Sequence, residues 1–80
     1  MTHSEIMARL GDVFRDVFDD DGIVLSDETT AADIDGWDSI MHITLIGEVE
    51  SAFSVHFSMK QVMQLQNVGE LADAIEELLG

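Results

Sequence analysis

The sequence predicts an all-α fold, a small bundle of three main helices plus one short helix, with a long loop between helices 1 and 2. Three observations predict it. Apolar residues recur at helical spacing in three separate segments. No segment shows the polar–apolar alternation of a half-buried strand, and no internal repeat appears. Residue pairs able to cap a helix start stand just ahead of apolar runs, as at Thr2 with Glu5 and Ser58 with Gln61. At 80 residues the chain is expected to form one domain, residues 1–80.

The first helix is expected over residues 2–18. Thr2 and Glu5 form its capping box, and Ile6, Leu10, Val13, Phe14, Val17 and Phe18 form one apolar stripe. The run Asp19-Asp20-Asp21-Gly22 ends it: three carboxylates oppose the negative end of the helix dipole, and Gly22 is expected to make the turn. A connection follows over residues 22–38, anchored by Ile23, Leu25 and Ile34. Seventeen residues without regular structure is long for so small a domain, and loops of that length are often functional. The second helix is expected from Ser39 to Phe53. His42, Ile46, Val49 and Phe53 share its inner face, flanked by Leu45 and Ala52, with Thr44, Glu48 and Ser51 opposite. A short third helix follows Ser58, with Val62, Met63 and Leu65 as its apolar contacts. The last begins after Asn67, with Leu71, Ala74, Ile75, Leu78 and Leu79 facing inward.

Charge narrows the function classes. Seventeen acidic residues face three basic ones, a formal net charge of −14. Phosphates and anionic membrane surfaces repel such a chain, so neither nucleic acid nor membrane is an expected partner, while positively charged protein surfaces are. There are no cysteines, hence no disulfides and no thiolate of the chain's own. No apolar run approaches the ~20 residues that span a bilayer. The start, MTHSEIMARL, has the features of neither a signal nor a transit peptide, and the cytoplasm is the expected compartment. A monomer is expected at this charge.

The stretch DGWDSI, residues 35–40, holds the only tryptophan and a serine at the junction of loop and helix. Three chemistries suit a hydroxyl there. Catalysis needs a base, an orienting partner and oxyanion donors. His42 stands one helical turn from Ser39, but it belongs to the apolar stripe, and Trp37 occupies the place of the glycine in a G-x-S-x-G elbow. Metal binding is the second. With Gly22 as the sixth position of a calcium loop, Asp19, Asp21 and Glu28 fall at positions 3, 5 and 12, but position 1 is Val17, which offers no oxygen. No metal ligands are assigned, and a small helical calcium-binding or interaction module is kept as the rival class. Third, Asp38 or Ser39 can cap the helix, and an exposed hydroxyl at a helix N-terminus is a good tether for a phosphodiester, whose charge the dipole favours.

The segment DIDGWDSIMHITLIGEVESAF resembles the prosthetic-group segment of acyl carrier proteins, VHFSMKQVMQLQNVGELADAIEELL resembles that family's linker, short third helix and fourth helix without needing a gap, and the likeness covers essentially the whole chain. In that family an Asp-Ser-Leu-type triplet opens the second helix, matched here by Asp38-Ser39-Ile40, and Phe53 matches an aromatic near that helix's end. The resemblance implies a non-catalytic carrier. A phosphopantetheinyl transferase attaches 4′-phosphopantetheine from coenzyme A to Ser39, and the arm's thiol holds cargo as a thioester. It also implies that Asp38 engages the transferase and that Ile40 contacts partners.

Two departures bear on the pathway. Fatty-acid carriers place acidic residues two and five positions after the serine, where this chain has Met41 and Thr44. Trp37 and His42 resemble discrete carriers of polyketide or nonribosomal peptide pathways. Trp37, Asp38, Ile40, Met41, Thr44 and Gly47 are therefore the candidate recognition residues. Acyl transferases or synthetases and ketosynthase- or condensation-type enzymes are the expected partners. Gly47, flanked by Thr44 and Ser51 at helical spacing, is expected to admit a partner closely. An aminoacyl or D-alanyl carrier shares the same frame and remains an alternative.

Overall fold

Thr2 and Glu5 form the box their spacing predicts: the Glu5 N–H donates to the Thr2 hydroxyl at 3.2 Å, and the Thr2 N–H to Glu5 Oε1 at 2.8 Å. In the computed structural model, which describes all 80 residues, that box opens α1 (His3–Phe18). A 3-10 turn (Ala31–Asp33), α2 (Ser39–Phe53), α3 (Met59–Gln64) and α4 (Val68–Leu79) follow, with no strand.

α1 packs against α2 and α4 over a single cluster of 14 buried apolar residues. Ile6, Leu10 and Phe14 from α1, Leu45 and Val49 from α2, and Val68 and Ile75 from α4 are fully enclosed. Each such side chain contributes about 1.5–3 kcal/mol relative to leaving it in water. The stripes expected for α1 and α2 thus face the core, with Leu45 at its centre rather than on a flank. No helix is long and apolar enough to cross a membrane.

Three expectations need correction. The turn that ends α1 is made by Asp19, at φ 50°, and not by Gly22; aspartate tolerates the left-handed region because its short side chain hydrogen-bonds locally. Gly22 instead gives its N–H to Asp20 Oδ1 at 2.9 Å. Leu78 and Leu79 are 38% and 41% exposed, because the last turn of α4 leaves the core, while Val68 and Ala72 take buried places. Met63 is 78% exposed, and α3 fully buries none of its six residues.

The loop between α1 and α2 is well tied down. Ile23 and Ile34 are buried as expected, with Leu25 packed at the edge. Asp33 braces the start of the 3-10 turn: its Oδ2 accepts the Thr30 N–H at 2.9 Å and the Thr30 hydroxyl at 3.3 Å. The loop also serves α4, whose first N–H groups have no partner within their own helix. Val68 N–H donates to the Thr29 carbonyl at 2.8 Å, and Gly69 N–H to that of Asp27 at 2.9 Å. His3 adds a side-chain tie: its Nε2 lies 2.8 Å from Asp27, and its Nδ1 lies 3.8 Å from Asp73 and 3.9 Å from Glu76. The Asp27 hydrogen bond, with the charges of Asp27, Asp73 and Glu76, raises the His3 pKa above its ordinary value despite slight desolvation.

The acidic run does not form the calcium loop considered above. Val17 lies within α1 and packs on the core, so position 1 is a helical, apolar residue.

Candidate functional site

Gly36 makes the last bend before α2. Its φ of +86° is a conformation that favours glycine. The bend turns the Trp37 ring inward, edge-on to Phe14 with centroids 5.2 Å apart and 6.2 Å from Phe18. Its far side stacks on His42, at 5.9 Å and 19° between planes. Trp37 is thus half-buried and fixes the loop to α1 and α2.

Asp38 is the N-cap of α2. Its Oδ1 accepts the Met41 N–H at 2.8 Å. This resolves which of the two residues caps the helix. Ser39 is the first helical residue, exposed, and its hydroxyl bonds to nothing else in the chain. It stands at the positive end of the helix dipole, next to backbone N–H groups with no partner within the helix.

His42 cannot serve Ser39 as a base in this arrangement. Trp37 Nε1–H donates to His42 Nδ1 at 3.1 Å, and Nε2 lies 3.4 Å from the Val62 carbonyl. Both ring nitrogens are engaged away from the serine. The packed histidine expected from the stripe is present, at its edge and half-buried.

Beside Ser39 lies a groove of about 480 Å³ between α2, α3 and the start of α4. Ile43, Met59, Val62, Met63 and Leu65 supply most of its apolar lining, with Asp38, Ser39 and His42 along one side. Sequence reasoning missed this groove. Its signal was Ile43, three residues after Ile40 and equally off the buried stripe: the two are 73% and 76% exposed. Met59 is a second, at 74%. Apolar side chains left in water on a chain this polar mark a surface that something covers.

The remaining candidates lie on one flank of α2. Thr44 and Gly47 are exposed, and a Cβ at Gly47 would meet nothing within 4 Å. Met41 is half-buried. Ile40, Thr44 and Gly47 follow helical spacing away from Ser39, whereas Trp37 faces the interior.

The arrangement suits a covalently tethered group: a free hydroxyl at a helix start, and beside it an apolar trough. Comparisons with known proteins agree. The family model described as a phosphopantetheine attachment site matches residues 8–75. A search of the curated proteins found no significant match. Among solved structures, the solution NMR structure of a holo acyl carrier protein from Geobacter metallireducens is similar over 91% of this chain and 84% of that one, at 45% identity and a TM-score of 0.86. The chain belongs to the acyl carrier protein family, non-catalytic carriers that bear a covalently attached 4′-phosphopantetheine.

Proposed function

We propose that Ser39 is the attachment point and that the protein presents acyl intermediates to the enzymes of a specialised biosynthetic pathway, of polyketide or related type, in the cytoplasm. One observation carries the assignment of Ser39: Asp38 caps α2, which leaves the Ser39 hydroxyl exposed and uncommitted at the helix start. A phosphopantetheinyl transferase moves the phosphopantetheine of coenzyme A onto the hydroxyl: the serine oxygen bonds to the arm's phosphorus and loses its proton, the pyrophosphate bond breaks, and adenosine 3′,5′-bisphosphate leaves; the N-terminal N–H groups of α2 favour the new phosphodiester charge. The arm supplies a terminal thiol that holds the cargo as a thioester.

The rest of the work falls to the chain's own residues. Asp38 keeps the helix start in place and offers a carboxylate to the transferase. Ile40, Met41, Thr44 and Gly47 form the flank that partner enzymes meet, and the net charge of −14 steers basic surfaces toward it. Trp37 acts from within, by holding the loop that presents Ser39. The specialised pathway is supported by Met41 and Thr44, which stand where fatty-acid carriers place acidic residues.

The test is an intact mass after incubation with coenzyme A, magnesium and a broad-specificity phosphopantetheinyl transferase. The expected result is a gain of one arm, lost in Ser39→Ala. No gain by folded protein contradicts the assignment. Presenting the loaded protein to ketosynthases of fatty-acid and of polyketide origin then tests the pathway; equal or better service to the fatty-acid enzyme contradicts that part.

A further inference from the structure

Three elements meet at the His42 ring. From the loop, the Trp37 indole N–H donates to Nδ1 at 3.1 Å. From α3, the Val62 carbonyl lies 3.4 Å from Nε2. His42 itself belongs to α2. An indole nitrogen is only a donor, so Nδ1 must accept. The network therefore assigns a neutral imidazole whose single N–H, on Nε2, points at α3.

Besides the packing of its half-buried Val62 against the core, α3 has few ties. It is six residues long, and none is fully buried. The His42–Val62 contact is the one hydrogen bond that reaches it from another helix. At 3.4 Å this bond is beyond the usual range, hence weak and easily released. Yet α3 supplies Met59, Val62 and Met63 to the groove beside Ser39. What holds α3 also sets the width of that groove.

We propose that His42 is a positioning residue that latches α3 over the groove beside Ser39, and that the Trp37 bond that aims its ring requires an unprotonated Nδ1. The proposal rests on the reading of Ser39 as the attachment point, since the groove and the arm then share one rim. A proton taken from solvent by Nδ1 turns that nitrogen from acceptor into donor. It then faces the indole N–H, donor against donor, and the bond is lost. The ring loses the contact that aims it at the Val62 carbonyl.

The charged surroundings are sparse. From the loop, Asp38 is the only other ionisable side chain lining the groove, and its carboxylate holds the Met41 N–H. Lys60 of α3 and Glu70 of α4 lie outside the lining. From α1, the uncharged Phe14 and Phe18 face the indole. The other two histidines lie beside carboxylates, His3 Nε2 2.8 Å from Asp27 and His56 Nδ1 3.2 Å from Glu50, and His42 lies beside none.

Amide hydrogen exchange on the full chain without its arm tests the proposal, with Trp37 emission followed from about pH 5 to about pH 8. In His42→Phe, protection at Val62, Met63 and Gln64 falls about twofold, the low end of one net hydrogen bond's worth, while α1 amides keep theirs. His42→Gln offers one acceptor and one donor but does not titrate. It restores the protection and removes the pH step in Trp37 emission that the native protein shows. Unchanged α3 protection in His42→Phe, equal losses in α1 and α3, or a pH step that survives in His42→Gln would each overturn the latch. Because exchange is read without the arm, a protein that takes up no arm at Ser39 still answers this experiment, so the two readings fail separately.

Discussion

Gly69 and Gly47 are both helical glycines, and the same substitution should act on them in opposite directions. A Cβ built at Gly69 would lie 2.8 Å from the Asp27 carbonyl oxygen, 3.0 Å from its Cβ and 3.2 Å from its Cα. No real Cβ tolerates the first of these, and the obstacle is mainly backbone, which cannot swing aside as a side-chain tip can. The loop must retreat from the start of α4. The bonds at risk are Gly69 N–H to Asp27 at 2.9 Å and, beside it, Val68 N–H to Thr29 at 2.8 Å. Overpacking of this kind costs about 1–3 kcal/mol. A weakened hydrogen bond adds about 1 kcal/mol. Alanine's better helix propensity returns up to about 1 kcal/mol. Gly69→Ala should therefore destabilise by about 1–3 kcal/mol, which at roughly 4–8 °C per kcal/mol lowers Tm by roughly 4–24 °C. At Gly47 the added methyl meets open space, so the propensity term acts alone and Gly47→Ala should stabilise by about 0.5–1 kcal/mol. Thermal and urea denaturation followed by circular dichroism measures both. A Gly69→Ala protein as stable as the native one refutes the tight seating of the loop on α4. A Gly47→Ala protein that is destabilised refutes the open flank.

Other predictions follow from the same geometry. Asp38→Ala should lose about 0.5–2 kcal/mol in urea denaturation through loss of the α2 cap, whereas Asp38→Asn, which can still accept the Met41 N–H, should lose little. Phe14→Ala should cost about 3–5 kcal/mol and shift Trp37 emission to the red, since Phe14 is the indole's nearest aromatic neighbour; an unshifted spectrum contradicts the inward Trp37. His3 has its pKa raised from 6.5 by its Asp27 bond, so its contribution is complete below 6.5 and is lost as pH rises through the higher folded value. Tm should fall more on going from mildly acidic to alkaline pH in the native protein than in His3→Gln, and equal falls count against the tie. Glu5 is shifted the other way, lowered from 4.5 mainly by the Thr2 backbone bond. Its share is present above 4.5 and lost as pH falls through the folded value, so Glu5→Gln should flatten the acid limb of a stability–pH curve.

Helix starts were readable because caps are local. Thr2 with Glu5, Ser58 with Gln61 and Asn67 ahead of Glu70 each bond within a few residues, so spacing alone identified them. The inner faces of α1 and α2 were readable for a similar reason, since period shows which side of a helix is apolar. Period does not show where the core ends, and so it points Leu78 and Leu79 inward although the last turn of α4 has left the core. Gly22 is the more permissive residue and so the one the sequence points to for the turn after α1, whereas the chain bends earlier, where the helix stops at Asp19. Thr30 and Asp33 carry the same box spacing as the helix starts but brace only a 3-10 turn, with no apolar run to announce it. At the site, Ser39 stood out through its triplet. The Trp37–His42 bond and the groove did not, because they depend on how Gly36 turns the indole and on where α3 settles.

Ser39 as the tether is the claim on which most of this depends. Peptide mapping by tandem mass spectrometry after treatment with coenzyme A and a phosphopantetheinyl transferase reads it directly. The account predicts a single phosphopantetheine arm, confined to the peptide that holds Ser39 and absent from Ser39→Ala. An arm on any other hydroxyl, or none on folded protein, contradicts it.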